Sequence, residues 1–396
     1  MNPSIFDKIK EYGIDSYAVD IRSHLHQHPE LSDQEYNTRD YICQKLEEIG
    51  VEYKTGFAGT GIVAEICGDP SGPVIALRAD MDALPIQENN PDLACRSVAD
   101  GVMHACGHDI HTAVLLGTAS YFSKTKDSLP GTIKLLFQPA EEGDGGAQRM
   151  IDEGCLDSPH VDAVLGLHVE PSLPTGSVGI RYGKMYASSD VITLKIHGIS
   201  SHGANPELGV DAIVIAANII NNVQALVSRN IGPTNSAVCT FGTIHGGNVE
   251  NQVADYVELH GIIRTLDPET RSFMREHVNS ICESTAQMMG GKAELLIRPS
   301  YSPLINDDHI TEIVHSVASE ILGEDSVVLE DSPLLSVEDF AYFAEARPAC
   351  FYHLGCTSSD NDSLQVLHNP DFNPDPSCIA FGIAMQVSSV LKIMNQ

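Results

Sequence analysis

The stretch Met103-His104-Ala105-Cys106-Gly107-His108-Asp109-Ile110-His111 packs three imidazoles, a thiol and a carboxylate into nine positions. Four other places set comparable side chains in turns beside apolar runs: Asp80 and Asp82 in RADMDALP, Glu141 and Glu142 in QPAEEGDGG, His168 in GLHVEP, and His368 in LHNPDF. Thiolate, imidazole and carboxylate together suit zinc or a similar divalent ion, with nitrogen and sulfur ligands at ~2.0 to 2.3 Å. These donors outnumber what one tetrahedral ion takes, which implies two ions with a thiolate able to bridge them. Cys106 stands two residues before His108, so both side chains can point one way in an extended loop. A divalent ion can bring the pKa of water from about 15.7 to about 7 and can polarise a carbonyl. The Glu141-Glu142 pair then divides the labour: one carboxylate ligates, and its neighbour carries a proton from water to a leaving nitrogen. Amide hydrolysis needs both services.

Other chemistries are excluded by what the chain lacks. There is no HExxH, so a zinc protease built on a single helix is not the template, and there is no Walker A or strand-turn-helix GxGxxG for a nucleotide. With 54 acidic against 23 basic residues and a formal charge of -31, the chain would repel a phosphate backbone, so nucleic acid is not an expected partner. The opening MNPSIFDKIKEYG is mixed in charge and has no apolar core followed by a cleavage site. No uninterrupted apolar run reaches the ~18 residues of a membrane span. The expectation is a soluble cytoplasmic protein without membrane attachment. Its ten cysteines show no CxxC pair, as suits free and mostly buried thiols, with Cys106 the exception.

The elements that must position these donors follow from periodicity. At 396 residues the chain is long for one core, so two domains are expected. Residues 16–50 show helical spacing around a break at Pro29, giving two helices. Strands then alternate with helices: TGIVAEICG, PVIALRAD, a helix from about Thr112, TIKLLFQPA, a helix through GAQRMIDEG, and AVLGLHV. This order argues an α/β sandwich with a largely parallel sheet, whose strand carboxyl ends are where sites are built. From DVITLKIHG to KAELLIRPSY the order becomes β-α-β-β-α-β, the ferredoxin-like split pattern, with its own sheet and two helices on one face. Residues 1–185 and 299–396 are therefore expected to form one α/β catalytic domain, interrupted by an inserted domain at 186–298.

RADMDALP, MHACGHDIH, QPAEEGDGGAQRMIDEG, SSHGANPELGVDAI and LHNPDF, in this order, resemble the dimetal aminoacylase and carboxypeptidase family. The branch is that of hippurate hydrolases, indole-acetyl-amino-acid amidohydrolases and other N-acyl-amino-acid amidohydrolases, and the similarity runs from about His24 to the final helix. The resemblance implies a zinc-peptidase-like α/β sandwich with a ferredoxin-like lid that also makes a dimer, possibly a tetramer. It implies two divalent ions (Zn, Mn, Co or Ni) on Cys106, His108, Glu142, His168 and His368, with Cys106 similar to a bridging ligand that other branches supply as aspartate. Glu141 corresponds to the general base and acid, and Asp82 to an aspartate that orients a ligand. Asp80 stands where other branches carry a ligating histidine and is not counted as a ligand. His202 resembles a lid histidine that stabilises the oxyanion in the partner's site, and Asn251 and Arg264 resemble residues that hold the substrate carboxylate. Ala254 and Val337 depart from the family pattern, which has proline and a small residue there. The implied activity is hydrolysis of an N-acyl or N-aroyl amino acid to a carboxylic acid and a free amino acid. The alternatives are a dipeptidase or carboxypeptidase on short peptides, or a catalytically silent relative that binds ligand. His24, His26, His28, His104 and His111 carry no specific assignment from sequence.

Overall fold

A computed structural model describes residues 4–358 and 366–396. Strands are numbered along the chain as β1 Glu52–Phe57, β2 Gly61–Cys67, β3 Val74–Asp80, β4 Thr132–Gln138, β5 Ala163–Pro174, β6 Val178–Ile180 and β7 Gly183–Tyr186. They continue as β8 Ser188–His197, β9 Ala237–Gly246, β10 Tyr256–Thr265, β11 Lys292–Pro299, β12 Leu304–Asn306, β13 Val327–Leu329 and β14 Ala349–Thr357. The short β7 and β12 form a two-stranded sheet. Two compact units result: one of Met1–Gly183, Asn306–Asp331 and Tyr342–Gln396, the other of Lys184–Ile305 and Ser332–Ala341.

The first unit is built on an eight-stranded sheet in the order β1-β2-β4-β3-β5-β14-β6-β13. Its centre, β4-β3-β5-β14, is parallel, while β1 and β2, β2 and β4, and β6 and β14 pair antiparallel. The sheet is thus parallel at its centre and in the edge pair β6–β13, and antiparallel in its other pairs. The physical reason at one margin is that residues 58–60 alone join β1 to β2, which permits a hairpin but no crossover. Every residue of β3 and of β4 is buried, as central parallel strands covered on both faces require. Helix His108–Thr125 is buried along nearly its whole length and lies against Ile14–Gln27 and Cys378–Met394. Apolar on almost every side, it is a core helix, and it starts at His108 rather than near Thr112.

In the second unit the order β8, helix Ala212–Asn230, β9, β10, helix Pro268–Met288, β11 folds into an antiparallel sheet ordered β11-β8-β10-β9. Alternation along β10 decides which face is covered: Val257, Leu259 and Ile263 are buried against Ile215, Ile219, Met274 and Val278 of the helices, while Tyr256 and His260 are exposed. Asp190 joins β8 to the second helix, accepting from Arg271 Nη2 at 2.8 Å and Arg275 Nε at 2.9 Å. Helix Ala212–Asn230 is long and apolar enough to cross a membrane by length and composition. It nevertheless buries one stripe (Ala212, Ile215, Ala216, Ile219, Val223, Leu226), as a helix lying on a sheet does.

Candidate metal centre

The parallel centre brings the carboxyl ends of β3, β4 and β5 to one side, so Asp80, Asp82, Glu141, Glu142 and His168 arrive together although they are far apart in sequence. Helix His108–Thr125 delivers His108 from its first turn. Cys106 precedes it, separated by Gly107 at φ 86, where a Cβ would sit 2.4 Å from Cγ2 of Val169. The chain therefore turns at Gly107 and does not run extended from Cys106 to His108 as the spacing suggested. Only glycine takes that conformation at that distance. His368 comes from the loop before the last helix, itself at φ 60, and its N–H donates to the Ala105 carbonyl at 2.8 Å.

The ligand atoms of Cys106, His108 and His168 all lie within 4.8 Å of one another, and so do those of Cys106, Glu142 and His368. Cys106 belongs to both groups. Its Sγ is 3.3 Å from Nε2 of His168, and Nε2 of His368 is 3.0 Å from Oε1 of Glu142. Glu141 joins a further group with His108 and Glu142. The imidazole tautomers follow from the partners: a carbonyl can only accept, so Nδ1 of His108 donates to the Asp82 carbonyl (2.9 Å) and Nδ1 of His168 to that of Val169 (2.8 Å). Both rings thus turn Nε2 inward. Nε2 of His108 is buried and has no hydrogen-bond partner among the described residues.

Asp82 organises three of these groups at once. Its Oδ1 lies 3.3 Å from Nδ1 of His108 and accepts the Glu141 N–H at 3.1 Å, while Oδ2 accepts the Glu142 N–H at 3.0 Å and the Ser32 hydroxyl at 2.7 Å. One buried carboxylate therefore sets a ring and both glutamates.

The electrostatics test whether this pocket suits cations. Burial, then Glu142 and Glu141, push the Cys106 thiol well above its ordinary range. Burial works against protonation of His108, yet Asp80, Asp82 and Glu142 outweigh it and push its pKa up to about 10. Burial and the neighbouring His111 hold His168 well below its ordinary value. The acidic groups thus favour positive charge near Nε2 of His108, which lies 3.8 Å from Oδ2 of Asp80, and a divalent ion held there would invert the order, favouring thiolate and neutral imidazole. The residues present, two overlapping sets of thiol, imidazole and carboxylate donors, fit two ions.

The sequence profile of peptidase family M20/M25/M40 matches residues 76–392. The chain belongs to this family. It is 40% identical over 366 residues to an N-acetyl-L-cysteine deacetylase of Bacillus subtilis, covering 92% of this chain and 85% of the relative. It is 36% identical to thermostable carboxypeptidase 1 of Saccharolobus solfataricus, covering 97% of each. Among solved structures, a dinuclear metal-binding peptidase of the M20 family from Bacillus subtilis superposes with a TM-score of 0.83 at 33% identity, covering 97% of this chain and 99% of that one.

In this M20 chain the structure also assigns residues that sequence reasoning left open. Asp80 is taken up elsewhere: Oδ1 lies 2.6 Å from Nδ1 of His111 and Oδ2 accepts from Arg78 Nη1 at 2.6 Å. Nε2 of His111 accepts the Val169 N–H at 2.9 Å, so its Nδ1 carries the proton toward Asp80. Arg78, Asp80 and His111 thus hold the backbone of Val169 by its N–H, and the carbonyl of the same residue fixes the His168 ring. Spacing three residues past His108, on the same helical face, was the available signal. His26 is buried between Asp109 (2.8 Å) and Glu88 (3.3 Å), with Arg22 also on Asp109 at 2.9 Å. Burial pushes His104 down to about 4, and among the described residues neither of its ring nitrogens has a hydrogen-bond partner.

His202, Asn251 and Arg264 belong to the second unit. His202 and Asn251 lie on adjoining segments: His202 bridges to Gln252, and the Gly203 N–H donates to the Asn251 carbonyl at 2.7 Å. Both are exposed. Arg264 sits on β10 opposite Ser189 and Val238, half-buried, with Nη1 enclosed and, among the described residues, without a hydrogen-bond partner.

Proposed function

We propose that this chain is a metal-dependent amidohydrolase that cleaves N-acyl or N-aroyl amino acids into a carboxylic acid and a free amino acid. The observation that carries this reading is the pair of donor groups sharing Cys106, with Glu141 against them. Cys106, His108, Glu142, His168 and His368 would hold two divalent ions, which when bound polarise a carbonyl and make water acidic near neutral pH. Zinc, manganese, cobalt and nickel all accept these donors. Glu141, its backbone held by Asp82, takes a proton as water oxygen bonds to the amide carbon, and gives it to the nitrogen as the C–N bond breaks. His202 donates to the developing oxyanion, a contribution of about 3 kcal/mol for such a group. Arg264 and Asn251 take the substrate carboxylate, and Nη1 of Arg264, without a hydrogen-bond partner among the described residues, supports that role because a buried guanidinium nitrogen calls for an acceptor. The 40% identity to an N-acetyl-L-cysteine deacetylase, and 34% to an IAA-amino acid hydrolase of Arabidopsis thaliana, support the substrate class.

The second unit acts in this reading as a lid and as the contact of a homodimer, possibly of a tetramer, with His202 reaching the partner's site. Exposed Ile213 and Val214 on its first helix, and Ile244 on the edge strand β9, support a self-association surface there. Ten free cysteines and the acidic surface support a cytoplasmic location. A second reading, cleavage of dipeptides or peptide carboxyl termini, is favoured by the 36% identity to a carboxypeptidase. Parallel assays on hippurate-like amides and dipeptides, with metal analysis of the protein as purified, separate the two. Glu141→Gln keeps the metal and abolishes turnover of either substrate; undiminished turnover by that variant, or by exhaustively chelated protein, refutes the proposal.

A further inference from the structure

Three consecutive backbone N–H groups approach the catalytic glutamate, and each ends on a buried carboxylate. Those of Glu141 and Glu142 go to Asp82. The one before them, from Ala140, goes to Oε1 of Glu35 at 2.9 Å. Ala140 has φ 55, a left-handed conformation that a residue with a Cβ keeps only where its surroundings hold it. Glu35 is fully buried and occupies the N-cap position of helix Tyr36–Glu48, yet its side chain makes no capping bond. Helix capping therefore does not account for it. Its other oxygen is aligned by the Thr60 hydroxyl at 2.8 Å, and Oε1 also accepts the Asp33 N–H at 3.0 Å. Neighbouring contacts run the same way: Ser32 donates to Asp82, and Arg149, past the glycine-rich turn, donates to Asp33 at 2.7 Å.

We infer that Glu35 is a positioning residue for Glu141, holding Ala140 in its left-handed conformation so that the base is presented at a fixed angle. The inference rests on the amidohydrolase reading above. The action of Glu35 on Glu141 runs through the backbone of Ala140, whose N–H it holds. Replacing Glu35 by leucine, of similar size, leaves two N–H donors and a hydroxyl without any acceptor. Ala140 is then free to leave the left-handed region, and Glu141 swings with it. Glycine at position 140 has no preference to leave, since it takes positive φ without steric cost.

The test is a double-mutant cycle between Glu35→Leu and Ala140→Gly, with kcat, KM and metal content measured for each protein. Glu35→Leu lowers kcat about 10- to 100-fold, the range seen when such supporting partners are removed, with KM within about 3-fold and the metal content unchanged. Ala140→Gly alone stays within about 3-fold of the parent, and on the Glu35→Leu background it restores kcat by about 5-fold or more. Full kcat in Glu35→Leu, or an equal loss on both backgrounds, overturns the inference. Should Glu35→Leu not fold, Thr60→Val carries the same cycle: a fall in kcat relieved by Ala140→Gly supports the inference and an unchanged kcat overturns it. Failure of the amidohydrolase reading shows separately, in the unsubstituted protein, as absent turnover or absent metal.

Discussion

If Cys106 serves both donor groups while His168 and His368 serve one each, substitutions at these positions remove different numbers of ions. Cys106→Ala weakens both ions; His168→Ala and His368→Ala weaken one apiece. At a free metal concentration of 100 times its dissociation constant, each ion stabilises the fold by about 2.7 kcal/mol. A 100-fold loss of affinity leaves about 0.4 kcal/mol, a fall of about 2.3 kcal/mol per weakened ion. The metal-dependent part of the stability thus drops by about 4.6 kcal/mol in Cys106→Ala and by about half that in either histidine variant. At roughly 2 °C per kcal/mol for a unit of this size, the rise in Tm on metal addition shrinks by about 9 °C in the first and about 5 °C in the others. Calorimetry with and without chelator measures the shift, and elemental analysis after gel filtration counts the ions. A Cys106→Ala protein that keeps one tightly held ion, or a His168→Ala protein that loses both, refutes the sharing of the thiol between two sites.

Three further outcomes follow from the geometry. His111→Leu, which can neither donate to Asp80 nor accept from Val169, lowers metal affinity about 10- to 100-fold, whereas His111→Gln, which can do both, keeps most of it; isothermal titration with metal reads the difference. Arg264→Ala raises KM about 10-fold or more for N-acyl amino acids while leaving KM for the corresponding N-acyl amine, which lacks the carboxylate, unchanged, as steady-state kinetics on the two substrates will show. Asp190→Asn destabilises the second unit by about 3 kcal/mol, because Arg271 and Arg275 lose their counter-charge, and urea unfolding at neutral pH measures this. Burial alone would raise the Asp190 pKa, but the bonds from Arg275 and Arg271 outweigh it and hold it below the ordinary 3.8. The contribution of this carboxylate is therefore complete above that value and is lost as pH falls through the lower folded value, so the gap between parent and variant narrows on acidification.

The kinds of donor were legible in the chain itself: a thiol and imidazoles in ACGHD, paired carboxylates in QPAEEG, and lone histidines after apolar runs state a chemistry by composition and local spacing. The βαββαβ order of the second unit was equally legible, because a period of two in its strands and of 3.6 in its helices is written within windows of ten to twenty residues. The start of the core helix at His108 was less so, since the left-handed Gly107 that sets it is required by Val169, more than sixty residues away in the chain.

What only the tertiary structure decided is which donors come within reach of one another and what holds them. Cys106 stands between His168 and the Glu142–His368 pair because β5, the turn after β4 and the loop before the last helix meet at one side of a parallel sheet centre. Asp82 supports both glutamates across 59 and 60 residues of chain, and Glu35 reaches Ala140 across 105. Hydrogen bonds between such distant positions leave no periodicity behind. A glutamate at the start of a helix reads locally as a surface or capping residue, and its burial against a strained backbone exists only once the sheet has closed.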